Sequence, residues 1–196
     1  MPIYYHGTPI ADITTLAPPP GKALYLTPCR AYALFYIRDL AVNHVTAWVG
    51  EDGVAGYDEQ FPGQLRALYA GREGWLYACG EDNFAPGSSP WIFTCNHAVP
   101  VSSAEHIPDA YEAIQREIEA GAARVKRYED KTEEQKRDIT ETMACKILKD
   151  GYLGADTPKA RFYERSFPEA WACALENQAR AQEYVARWER EHLRRQ

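Results

Sequence analysis

No stretch of the chain holds the ~20 consecutive apolar side chains that a bilayer-spanning helix needs. The opening residues, MPIYYHGTPIAD, have no basic start followed by a long apolar run, so no secretory signal is expected. Cysteine is sparse. The five cysteines (29, 79, 95, 145 and 173) are odd in number and contain no C-x-x-C pair, which reads as reduced thiols of a cytoplasmic chain. A disulfide framework is not expected, and neither is a metal site. Basic residues are scarce in the first 120 positions, which hold 6 Lys and Arg against 14 Asp and Glu, a net of −8. Residues 121–196 hold 16 against 14, a net of +2. Because Lys and Arg dominate phosphate-backbone binding, nucleic acid is not the expected partner of the acidic part. Also missing are G-x-x-x-x-G-K, G-x-G-x-x-G and H-E-x-x-H, so phosphate-loop, dinucleotide-fold and zinc-protease readings lack support.

What is present is an ordinary globular balance, 45% hydrophobic and 26% charged. Up to about residue 120 the chain is aromatic and punctuated by glycine. PIYYHG, KALYLT, NHVTAWVG, GWLYAC, WIFTC and AVPVSSAEHI predict strands bounded by Gly, Pro, Asn or Asp. PCRAYALFYIRDLA and FPGQLRALYAG predict helices among them, and GEDNFAPGSSP at 80–90 predicts a loop. From residue 109 the period becomes helical. DAYEAIQREIEAG opens on a capping box (Asp109, Glu112), and TEEQKRDITETMACKILKDG opens on another (Thr132, Gln135). The second carries Ile139, Met143 and Ile147 on one face. A third helix is expected over the segment from Ser166 to the C-terminus, capped by Ser166 with Glu169. Its apolar stripe would hold Trp171, Ala174, Leu175, Ala181, Val185 and Trp188. The predicted class is α+β, with a mixed, mainly antiparallel sheet in residues 1–120 and a helical extension, 121–196, packed on it.

Three short features could carry chemistry. His6, Gly7 and Thr8 end the first strand. Tyr25 and Tyr36, with ten residues between them, flank a strand–helix joint where two rings can face each other across a slot. Tyr32, between them, is expected to pack elsewhere on the helix. Glu105 sits in an apolar strand just before a helix, where burying a carboxylate is costly unless it is paired or has a task. Taken singly, each has a plainer reading: a strand end, two of 13 tyrosines, a strand-edge glutamate.

In this order the three resemble the motifs of the ADP-ribosyltransferase superfamily, in its His-Tyr-Glu class of diphtheria-toxin-type enzymes and poly(ADP-ribose) polymerases. YYHGT is similar to the toxin-type Y-H-G-T, LYLTPCRAYALFY to the Y-x10-Y element, and AEHIPDAYEAI to the glutamate strand with its following helix. The resemblance spans roughly residues 3–118 and leaves 121–196 unexplained. Ala33 stands where polymerase-type members carry a serine, which leans toward the toxin type. Ser103 stands where arginine-modifying members carry Glu or Gln, which weakens arginine as the acceptor.

The resemblance implies a split, mainly antiparallel sheet with flanking helices, NAD as ADP-ribose donor and a macromolecular acceptor, a protein first among them. It implies that Tyr25 and Tyr36 sandwich the nicotinamide, which the backbone at Gly7 holds by its carboxamide. His6 would hydrogen-bond a ribose hydroxyl of NAD, Thr8 would add a hydroxyl nearby, and Glu105 would bind the ribose 2′-hydroxyl and offset positive charge in an oxocarbenium-like transition state. No metal is implied. Two rivals are a fold relative that binds a nucleotide or partner without catalysis, and an RNA 2′-phosphotransferase-like enzyme, to which a net of −8 is ill suited. Among other residues, Cys95 with His97 suggests a thiol and a base with no third group to orient them. Glu59 is a rival carboxylate that precedes a helix rather than leading a late strand.

Overall fold

The computed structural model describes residues 2–42, 44–80, 84–87 and 89–193. The chain divides into two compact units. The first comprises Met1–Asp39, His44–Glu59 and Gly63–Lys126; the second comprises Leu40–Asn43, Gln60–Pro62 and Arg127–Gln196.

The first unit is mixed α+β. Its elements are β1 (Tyr4–Thr8), β2 (Thr15–Leu16), β3 (Leu24–Leu26), α1 (Arg30–Leu34), β4 (Ala47–Val49), β5 (Ala55–Asp58) and α2 (Gln64–Tyr69). Then follow β6 (Gly74–Cys79), β7 (Ala85–Pro86), β8 (Phe93–Cys95), β9 (Val99–Pro100), β10 (Ser103–Ile107), α3 (Ala110–Glu119) and β11 (Ala123–Lys126). The central sheet runs β1-β6-β10, antiparallel throughout. Beside it are the antiparallel sheet β3-β8-β7 and the pair β2-β9. In the third three-stranded sheet, β11-β5-β4, the β11–β5 pair is parallel.

Strand β6 reads GWLYAC and is covered on both faces, so its apolar run is nearly continuous. Leu76 joins one core cluster with Tyr32, Phe35, Ile37, Tyr57, Tyr69 and Ile114. Tyr77 and Cys79, one step out of phase, join a second with Leu16, Leu24, Leu26 and Val99. Asp109 uses both carboxylate oxygens: Oδ1 accepts from Glu112 N–H at 3.2 Å and caps α3, and Oδ2 accepts from Gly71 N–H at 2.8 Å just past α2.

Several expectations need correction. The helix predicted over PCRAYALFYIRDLA is only Arg30–Leu34, and it tightens into i→i+3 turns at Tyr36 and Ile37. Phe35 and Ile37 are fully buried, and seating them decides the backbone there. Residues 123–126, assigned to the extension, form β11 in the first unit, because pairing with β5 supplies their hydrogen bonds. The single strand AVPVSSAEHI is two, β9 and β10. Of the predicted loop at 80–90, residues 81–83 and 88 lie outside the described residues, and Ala85–Pro86 pairs with β8 as β7.

The second unit is helical: α4 (Glu133–Lys149), α5 (Pro158–Ser166), α6 (Pro168–Asn177) and α7 (Ala181–Leu193), the last two joined by a 3₁₀ turn at Gln178–Arg180. The Thr132–Gln135 capping box forms with both reciprocal bonds. Met143 and Ile147 are buried as their spacing predicts. Ser166 is not a cap; it ends α5. That helix is capped by Thr157, whose hydroxyl accepts from Ala160 N–H at 3.1 Å, with Pro158 in its first turn. The 3₁₀ turn breaks the predicted C-terminal helix in two; of the expected stripe Ala174 is buried and Leu175 is 52% exposed, while Tyr184, outside that stripe, is buried. Phe61, Phe162, Tyr163 and Phe167 pack their rings together in this unit. Among the described residues no helix is long and apolar enough to cross a membrane.

Candidate functional site

Strands β1 and β3 meet at one antiparallel bridge, Tyr5 to Thr27, closed by two backbone hydrogen bonds of 2.7 and 3.1 Å. Beyond that bridge they form no ladder with each other, and a cavity of about 440 Å³ lies at this edge of β1. Such a volume suits a small-molecule cleft. His6, Gly7, Thr8, Tyr25 and Tyr36 all line it. Tyr32 and Ala33 of α1 complete one wall, and Ile13, Leu16 and Pro19 belong to another. None of the described lining residues is Lys or Arg.

The His6 ring links the two strands. Its Nδ1 lies 3.0 Å from the carbonyl oxygen of Tyr25. A carbonyl can only accept, so Nδ1 carries the proton and donates. Burial lowers the imidazole pKa from its ordinary value, and the Tyr25 carbonyl offsets this in part. His6 is therefore neutral at pH 7, with Nε2 as a hydrogen-bond acceptor.

Gly7 is buried, and a Cβ built there would stand 1.9 Å from the carbonyl oxygen of Ala33. Only glycine lets α1 approach β1 this closely. The Thr8 hydroxyl accepts from Ile10 N–H at 3.3 Å and turns the chain out of β1. Tyr25 alternates with buried Leu24 and Leu26 and is 56% exposed. Tyr36 stands edge-on to Tyr32, with ring centroids 5.5 Å apart at 72° and hydroxyls 2.9 Å apart. Burial, with the bond to Tyr36, raises the Tyr32 phenol pKa well above its ordinary range. Tyr32 is thus the cavity residue that sequence reasoning set aside. Its four-residue spacing from Tyr36 was the available signal, since residues four apart on a helix are neighbours.

Glu105 is not among the residues lining the cavity. It lies on β10, in register with Leu76 of β6, which pairs in turn with Gly7 of β1. Partners in antiparallel register point to one face, so Glu105 shares the face of Gly7 against which α1 packs, two strands or about 10 Å away. Its carboxylate pairs with Arg30, the first residue of α1, at 2.6 Å. Glu59 is fully buried, and its Oε1 accepts from Leu65 N–H at 3.0 Å in the first turn of α2. The Cys95 thiol meets the backbone carbonyl and amide of His97 at 3.2 and 3.4 Å. All five cysteines are free thiols. Among the described residues no cluster of three or more His, Cys, Asp or Glu side chains is placed to hold a metal ion.

No family model, curated protein or solved structure matches the chain.

Proposed function

We propose that the protein is an NAD-dependent ADP-ribosyltransferase of the His-Tyr-Glu class, built on that family's split sheet, acting in the cytoplasm on a macromolecular acceptor, a protein first among candidates. The observation that carries this is the cavity at the β1 edge. Five residues from two distant stretches, His6, Gly7, Thr8, Tyr25 and Tyr36, line one apolar cleft, and His6 is held as a neutral acceptor. An aromatic-walled cleft suits a flat cationic pyridinium. The Nε2 lone pair of His6 suits a ribose hydroxyl donor. In the reaction the bond between nicotinamide and ribose breaks, and its electron pair leaves with the nicotinamide. The acceptor's heteroatom then bonds to the anomeric carbon and gives up its proton. Glu105 is the carboxylate that would offset the charge developing on the ribose.

A non-catalytic nucleotide- or partner-binding module is the second reading, favoured by the place of Glu105 outside the cavity lining. An RNA 2′-phosphotransferase is disfavoured, since no described lining residue is a cation for phosphate. The deciding measurement is nicotinamide release from NAD, alongside NAD binding by calorimetry. Binding with release supports the transferase. Binding without release, with any acceptor offered, supports the module, and absence of both overturns the NAD site.

A further inference from the structure

Arg30 opens α1 with both arms of its guanidinium engaged. Nη2 lies 2.6 Å from Oε1 of Glu105 on β10, and Nη1 pairs with Oε1 of Glu117 on α3. The two carboxylates differ in setting: the Glu117 side chain is 18% exposed, that of Glu105 53%. The guanidinium is planar with a fixed fork of donors, so anchoring one arm on the more buried Glu117 aims the other. Glu105 has no other side-chain partner among the described residues, and its Oε2 is uncommitted. A half-exposed glutamate without such a hold would populate several rotamers.

We propose that Arg30 is a positioning residue: anchored by Glu117, it holds the Glu105 carboxylate in one orientation, with one oxygen on the guanidinium and the other free for a substrate hydroxyl. The proposal rests on the transferase reading for the task of Glu105, and on the ion-pair geometry alone for its orientation. One cation shared by two carboxylates leaves the trio with a net charge of −1. Arg30 thereby relieves the repulsion between Glu105 and Glu117. The half-exposed Arg30–Glu105 pair contributes little to folding, whereas loss of Arg30 also strips the more buried Glu117 of its cation, so kcat of Arg30→Ala is read per folded molecule.

Two measurements test this. In the full-length protein, the side-chain methylene NMR signals of Glu105 should show one fixed rotamer, and should average in Arg30→Ala. Signals already averaged in the wild type overturn the proposal, whether or not the protein is an enzyme. For nicotinamide release, Arg30→Ala should lower kcat about 10- to 100-fold, the scale of a misplaced reacting group, with KM for NAD nearly unchanged. Millimolar guanidinium chloride should restore much of that loss by filling the gap between Glu105 and Glu117, and sodium chloride at equal ionic strength should not. Arg124→Ala, which breaks the exposed Arg124–Asp52 pair, should leave kcat as it is. Full kcat in Arg30→Ala, or a loss that guanidinium fails to repair, sinks the role. A fixed Glu105 rotamer in a protein that releases no nicotinamide keeps the positioning and removes the transferase reading instead.

Discussion

The imidazole of His6 donates from Nδ1 to the carbonyl oxygen of Tyr25 across 3.0 Å, joining β1 to β3 beside their single backbone bridge. That bond leaves Nε2 as the nitrogen free to accept, and burial disfavours the charged ring. The same two facts give it a pH signature.

With its folded-state pKa lowered, His6 takes up a proton in the unfolded chain before it does so in the folded one. Stability tied to the neutral ring is therefore present above the unfolded value of about 6.5 and is lost as pH falls below it. His6→Asn keeps a donor near the place of Nδ1 and does not titrate. The stability advantage of wild type over His6→Asn, from urea unfolding, should shrink between pH 8 and pH 5.5. An advantage that stays constant would show that the ring is not held neutral.

Gly7→Ala should destabilise the fold even without ligand. The added methyl would meet the Ala33 carbonyl at 1.9 Å, and backbone cannot swing aside as a flexible side chain can. A loss of about 1–3 kcal/mol, the usual cost of overpacking, is expected in chemical unfolding. Full stability would mean that α1 can lift from β1, and that Gly7 serves only the ligand.

Tyr36→Ala should weaken NAD binding by about 1–3 kcal/mol, the worth of one stacking partner. Tyr32→Phe removes only the hydroxyl bond that braces Tyr36. It should weaken NAD binding less than Tyr36→Ala does. Calorimetry on both variants checks this, and equal effects would make the Tyr32 hydroxyl a direct ligand contact.

Local signals carried most of what could be read from the sequence, and the failures fall where distant contacts decide. The caps at Asp109 and Thr132 could be located because each depends on residues three apart. The early end of α1 could not, since it depends on how Phe35 seats against Tyr57 and Tyr69 and Ile37 against the glycines of β1 and β6. The strand at Ala123–Lys126 owes its form to a parallel partner almost seventy positions away. Of the residues that line the cavity, His6, Gly7, Thr8, Tyr25 and Tyr36 belong to motifs visible in the sequence by their order. Tyr32 lies four residues before Tyr36, a local signal, whereas the tie of Glu105 through Arg30 to Glu117 spans three elements that no local pattern connects.

The cap of α5 makes a direct contest between two residues. Thr157→Ala should cost about 0.5–2 kcal/mol, the usual loss of an N-cap, because its hydroxyl accepts from Ala160 N–H. Ser166→Ala, at the other end of the same helix, should cost much less. Thermal unfolding of the two variants decides between them, and the reverse order would restore Ser166 as a cap.

Glu105→Gln and Glu59→Gln keep shape and remove charge, and the structure sets their effects apart. Glu105 is half exposed on β10 and paired with Arg30, so its amide should fold normally and still admit NAD. Nicotinamide release should fall by roughly 10²–10³, the usual loss when one transition-state electrostatic contact goes. Glu59 is fully buried, and its carboxylate takes the Leu65 amide at the start of α2. An amide oxygen can still accept that bond, while its NH₂ group would put donors into a fully buried site where the carboxylate only accepts. Glu59→Gln should therefore lose about 1–3 kcal/mol of stability, the cost of a poorly satisfied buried polar group, and keep its rate per folded molecule. Unfolding and nicotinamide release measured on both proteins separate the two roles. A Glu105→Gln protein as fast as wild type removes that carboxylate from the chemistry. A folded Glu59→Gln protein with no release, beside an active Glu105→Gln, would move the catalytic assignment to the buried glutamate.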